Sequence, residues 1–117
     1  VSYHHGYTQE FTFATPITTG TGDTTLVAAP GAGRRLRVQA LTVCVTTAAA
    51  QAFDLEDTSG TVEVFKAPAS LAVGTYAVDM GRQGVPLTTN EALVFNTAAA
   101  GVGATISGFG WIQEGIA

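Results

Sequence analysis

The sequence predicts an all-β fold: an antiparallel β-sandwich, jelly-roll-like, or a closed barrel, of about eight strands with an extended N-terminal arm. Three observations lead there. Thr, Val, Gly and Ala dominate the 117-residue chain, and only 12% of its residues are charged. Thr and Val favour pleated strands, while Lys and Glu, the usual coat of a helix, are scarce. No stretch sustains a helical apolar period. Short runs are instead separated by Gly, Pro, Asp and Asn at the spacing of small sandwiches.

The elements follow in order. Residues 1–9 carry Tyr3, His4, His5 and Tyr7 but no aliphatic side chain after Val1, so they cannot supply a core face. They are read as an arm that contacts another chain, with a disordered tail as the alternative, and residues 10–117 as a single β domain. Strands are expected at residues 10–14, halted by Pro16, and at 24–28, halted by Pro30 and Gly31. A long strand spans 35–46. A hairpin follows, 52–56 and 61–66, around the turn Asp57-Thr58-Ser59-Gly60. Further strands cover 75–80, 92–97 and 103–113.

The long third strand changes phase. Leu36 and Val38 share one face, whereas Leu41, Val43 and Val45 share the other. With a side-chain period of two, both groups reach one core only if an extra residue intervenes, so a β-bulge or a sheet-to-sheet crossing is expected near Gln39 and Ala40. Ile106 is likewise out of phase with Phe109 and Trp111. Gly108 and Gly110 between them mark a bend or a close backbone approach. Phe109 and Trp111 are expected to pack in the core. The runs 47–50 and 97–100, both Thr-Ala-Ala-Ala, are read as similar hairpin tips.

Composition excludes several functions. A net charge of −4 argues against nucleic acid, which needs clustered basic residues. One cysteine, Cys44, excludes a disulfide framework and a multi-cysteine metal site, and its apolar surroundings read as a small buried hydrophobe. No apolar run is long enough to span a bilayer, and no basic-then-apolar leader is present, so a soluble protein is expected.

Few residues offer chemistry. His4 and His5 are adjacent and point to opposite sides of an extended chain, which suits a flexible arm better than a metal site. Asp54, Glu56, Asp57 and Glu63 gather around the hairpin turn. Paired carboxylates can serve a glycosidase or calcium, but alternation with Phe53 and Leu55 reads them as a solvated hairpin face. No nucleophile elbow, phosphate loop or zinc spacing occurs. No catalytic, metal or cofactor residues are therefore assigned, and no enzyme is expected. Arg34, Arg35 and Arg37 are three of the five basic residues and form the sharpest electrostatic feature. They are read as a docking patch for an acidic surface, with an edge-strand guard or ion pairing with the acidic hairpin as structural alternatives.

The run Gly33-Arg34-Arg35-Leu36-Arg37-Val38 enters the long strand. Near the end come Gly84-Val85-Pro86-Leu87, Asn90-Glu91-Ala92-Leu93 and the closing Ala104-Thr105-Ile106-Ser107-Gly108-Phe109-Gly110-Trp111. In strand order, turn placement and this Gly-aromatic last strand, residues 24–113 resemble small virion proteins of tailed bacteriophages. These include capsid decoration (cement, or head-stabilising) proteins and related head-fibre and tail-fibre modules. The resemblance implies a β-sandwich or jelly-roll-like fold, no enzymatic activity, the major capsid protein as partner, and a homo-oligomer, with a trimer favoured. It places the protein on the capsid exterior of the virion, made in the host bacterial cytoplasm. Neither nucleic acid, membrane nor small-molecule ligand is expected. Tyr3, His4, His5, Tyr7, Arg34, Arg35 and Arg37 are the candidate capsid or subunit contacts. The alternative function is a carbohydrate- or receptor-binding β-module, for which Trp111, Tyr76 and Phe109 offer stacking faces.

Overall fold

The computed structural model of the chain describes residues 7–17, 22–47, 51–98 and 102–115. Tyr3, His4, His5 and most of the two Ala-rich tips lie outside the described residues. The strands are β1 (Tyr7–Ile17), β2 (Gly22–Val27), β3 (Arg35–Thr47), β4 (Phe53–Asp57), β5 (Glu63–Ala67), β6 (Gly74–Asp79), β7 (Val85–Pro86), β8 (Leu93–Thr97) and β9 (Gly103–Gln113). Eight of them sit where the alternation and turn residues predict. The two-residue β7 is the addition: it pairs Val85 and Pro86 with Val38 and Arg37 of β3.

The strands form two antiparallel sheets, a five-stranded one in the order β1-β9-β3-β6 with β7 also on β3, and a four-stranded one in the order β2-β8-β4-β5. The sheets face each other as a sandwich and do not close into a barrel. The pairings nest, with β4–β5 inside β3–β6, inside β2–β8, inside β1–β9. This is a two-stranded ribbon of four strand pairs, wrapped into two sheets, a jelly-roll path. Leu36, Val38, Leu41, Val43 and Val45 of β3 meet Phe53 and Leu55 of β4, Leu93 and Phe95 of β8 and Ile106 of β9 in the space between.

The bulge in β3 is where the phase change requires it. Val38 pairs with Gly110 and Ala40 with Phe109, which leaves Gln39 as the extra residue. That single insertion lets Leu36 and Val38 on one side, and Leu41, Val43 and Val45 on the other, all enter the core with at most 1% exposure.

Other expectations are corrected. β1 begins at Tyr7, so residues 7–9 of the expected arm are strand, and it runs through Pro16 to Ile17. Proline survives there because β1 is a sheet edge, where one side of the backbone needs no ladder bond. β9 does not switch phase: Ala104, Ile106, Gly110 and Ile112 are buried in one register, and Phe109 and Trp111 point the other way. Phe109 is 48% exposed, so it is not a core residue. Gly108 and Gly110 instead mark close approach. Each lies beneath a phenylalanine of β1, Gly110 opposite Phe11 and Gly108 opposite Phe13, and these rings pack against the core.

Candidate functional site

The outward face of the five-stranded sheet is built from rows of cross-strand partners. Pro16, Thr105, Cys44 and Thr75 form one row, and Ala14, Ser107, Thr42 and Ala77 the next. Both rows are short and uncharged. The third row, Thr12, Phe109, Ala40 and Asp79, and the fourth, Glu10, Trp111, Arg37 and Pro86, bring in aromatics and charges. The face thus has a flat neutral expanse and a chemically dense end. Cys44 sits in the neutral expanse, half-buried, rather than in the core. Alternation within residues 41–45 turns it outward while Leu41, Val43 and Val45 go in.

The outward face of the four-stranded sheet is different. Its rows are Asp23, Asn96, Asp54 and Lys66, then Thr25, Val94, Glu56 and Glu63. Asp54, Glu56 and Glu63 each bring a carboxylate oxygen within 4.8 Å of the others. Lys66 lies 3.7 Å from Asp54 and 3.6 Å from Glu63, so the cluster already has a cation of its own. Burial, and then the negative neighbours Asp54, Glu63, Asp23 and Asp57, push the Glu56 carboxyl above its ordinary value. A carboxylate raised in the folded state favours folding at pH below its unfolded value and loses that contribution as pH rises through its folded one. Glu56→Gln is therefore expected to raise neutral-pH stability slightly, by up to about 0.5 kcal/mol, and to flatten the pH dependence just above the ordinary glutamate range. Thermal melts from pH 4 to 7 check this, and a fall in the neutral-pH melting temperature would overturn it.

Asp57 does not belong to that solvated face. It is in phase with Phe53 and Leu55 and has 0% exposure. Its Oδ1 accepts the Thr61 and Val62 N–H groups at 2.9 and 3.2 Å and the Ser59 hydroxyl at 3.3 Å. Its Oδ2 accepts the Thr88 hydroxyl at 2.6 Å and the Thr88 N–H at 3.0 Å. The carboxylate thus ties the β4–β5 turn to the loop before β8. That loop in turn holds the loop before β3, because Asn90 accepts from Gly31 N–H at 2.9 Å and donates its own N–H to Arg34 O at 2.7 Å.

The arginines are anchored at the same end of the sandwich. Arg34 donates to Pro30 O at 2.9 Å, and Arg35 reaches Thr89 Oγ1 at 3.5 Å. Arg37 donates from Nε to Gln113 Oε1 at 2.7 Å and from Nη1 to Gln83 O at 3.3 Å. Its guanidinium carbon stands 5.4 Å from the centre of the Trp111 ring, a cation–π contact. Partial burial and the nearby Arg35 lower its pKa. Neither structural alternative for these arginines holds. β3 is interior to its sheet, so it guards no edge, and among the described residues none of the three forms an ion pair with the acidic hairpin.

Of the other candidates, Tyr7 opens β1 opposite Gln113. Tyr76 is no stacking platform: it pairs with the inward-facing Val43, packs against the core and donates its hydroxyl to Ala72 O at 2.7 Å. Alternation alone would have exposed the roles of Asp57 and of the outward pair Phe109 and Trp111. Residue type points the other way, since a carboxylate favours water and aromatics favour the core. No protein-family model matches the chain, and no curated protein matches it.

Proposed function

We propose that the chain is a structural virion protein of a tailed bacteriophage that docks on the outer capsid surface and stabilises the head, acting as a homotrimer. The observation that carries this reading is the contrast between the two outward faces. One wears Asp23, Asp54, Glu56, Glu63 and Lys66, the dress of a surface kept in water. The other offers two rows without a charge, Ala14, Ser107, Thr42, Ala77 and Pro16, Thr105, Cys44, Thr75. Such a face loses little charge hydration and little side-chain entropy when covered. Repeated over a capsid lattice, many shallow contacts of this kind add up through avidity. The jelly-roll path is shared by viral capsid domains, a fold-level analogy in favour of the same reading.

The test mixes the purified protein with heads of the encoding phage assembled without it. Saturable binding and greater heat resistance of the heads are expected. Thr42→Lys, in the middle of the neutral face, should weaken binding at least tenfold, while Lys66→Glu on the opposite sheet should leave it unchanged. Absence of saturable binding, or equal binding by the Thr42 variant, would overturn the proposal.

A further inference from the structure

The dense end of the five-stranded sheet holds two adjoining clefts on its outward face. One, of about 500 Å³, is lined by Glu10, Gln39, Arg82, Gln83 and Trp111. The other, of about 270 Å³, is lined by Gln39, Asp79, Gly81, Arg82 and Phe109. They share Gln39 and Arg82, so together they make one groove across β9 and β3. Phe109 and Trp111 are two residues apart on one strand face, about 7 Å along the groove. We propose that this groove is a carbohydrate site, in which a neutral sugar ring stacks on the exposed Phe109, beside Trp111, while Gln39, Gln83 and Arg82 hydrogen-bond its hydroxyls.

The lining chooses this ligand class. A pyranose presents an apolar C–H face and a rim of hydroxyls, each both donor and acceptor. The groove offers aromatic surface for the first and a mixture of side-chain amide, guanidinium and carboxylate groups for the second. Its lining carries two carboxylates, Glu10 and Asp79, against one guanidinium, Arg82, so it has no positive field to select a phosphate or a polyanion. It also crosses an interior strand. β9 is paired on both sides, with β1 and β3, so no backbone row is left for an extended peptide to add to. The site is held in shape before any ligand arrives. Arg37, fixed by Gln113 and Gln83, stands over Trp111, and Gln39 donates to Arg82 O at 2.9 Å while Asp79 accepts from Gly81 N–H at 2.9 Å. Among the described residues the Arg82 guanidinium has no hydrogen-bond or ion-pair partner, which leaves its donors for a ligand. Phe109, 48% exposed on the outward face beside Trp111, fits a ligand platform. The inference is independent of capsid docking, which uses the neutral rows.

Trp111 is the chain's single tryptophan and therefore the reporter. Its emission is titrated with neutral hexasaccharides of glucose (α- and β-linked), xylose, mannose and N-acetylglucosamine, and with heparin as the charged arm. At least one neutral oligosaccharide should give a saturable change. Phe109→Ala, an exposed position, should weaken that binding at least tenfold with its melting temperature nearly unchanged, and Arg82→Ala should weaken it severalfold. Silence from every neutral oligosaccharide, binding of heparin alone, or unaltered affinity in Phe109→Ala would overturn the proposal.

Discussion

Asp57→Ala is expected to remove about 3 kcal/mol of folding stability, because it takes the shared acceptor from several part-buried donors at once. The Thr61 and Val62 N–H groups, the Thr88 N–H and the Thr88 hydroxyl all end on this carboxylate. The carboxylate that gathers them has 0% exposure, so the tie is made inside the protein. The loss reaches further than one turn, because the Thr88 loop carries Asn90, which positions the loop before β3. Thr88→Val keeps its N–H bond and deletes only the hydroxyl, so a smaller cost of about 1–2 kcal/mol is expected. Urea unfolding of the three proteins measures both, and a loss under 1 kcal/mol for Asp57→Ala would refute the role.

The same carboxylate has a pH signature. Burial is the largest influence on it and pushes its pKa up. The Thr88 hydroxyl and the N–H groups of Thr88, Val62 and Thr61 pull it down and together prevail, so it lies below its ordinary value of 3.8. A carboxylate depressed in the folded state contributes stability at pH above its unfolded value and loses it as pH falls through the folded one. The acid limb of the stability curve should therefore steepen below about pH 4 in the wild type and be shallower in Asp57→Asn.

Gly110→Ala should be at least as damaging. A Cβ there would collide with the Arg37 carbonyl oxygen of β3 and come within 2.7 Å of Phe11 Cζ on β1. The carbonyl is locked in the ladder of a central strand and cannot swing aside as a side-chain tip can. Overpacking of this kind costs about 1–3 kcal/mol when neighbours can adjust. Here the neighbour is backbone, so the upper end or outright failure to fold is expected. Gly108→Ala meets the Ala40 carbonyl oxygen and Phe13 Cε1 in the same way. Pairing Gly110→Ala with Phe11→Ala should not restore stability, because the Arg37 carbonyl remains. Melting temperatures of the single and double variants decide the point, and a Gly110→Ala protein as stable as the wild type would show that β3 can yield.

These two sites also mark what was legible in the residues. The strands were, because alternation and turn chemistry are local. So was the bulge at Gln39, because a two-residue period cannot hide a phase change between Val38 and Leu41. The nested pairing was not, since β1 finds β9 across nearly the whole chain and no local signal names a distant partner. For the same reason Gly108 and Gly110 could be read as close-approach glycines but not matched to Phe13 and Phe11. Asp57 and Cys44 are within reach: each obeys the alternation of its strand, against the pull of a carboxylate toward water in one case and of an apolar run toward the core in the other. Phe109 and Trp111 obey the same alternation, and their outward placement creates the groove.

The order β1-β9-β3 has a consequence for how the chain comes into being. β1 is made first, yet its sheet partner is β9, and β9 also forms the seam to β3. At roughly 5–20 residues per second, several seconds separate the synthesis of β3 from that of β9. During that interval Phe11 and Phe13 have no glycines to cover, and the inner face of β3 lacks one of its neighbours. A topology dominated by such distant pairings folds slowly. The newly made chain is therefore most open to chaperones, and to sticking to its own copies, until residues 103–113 slide between two strands that have been waiting for them.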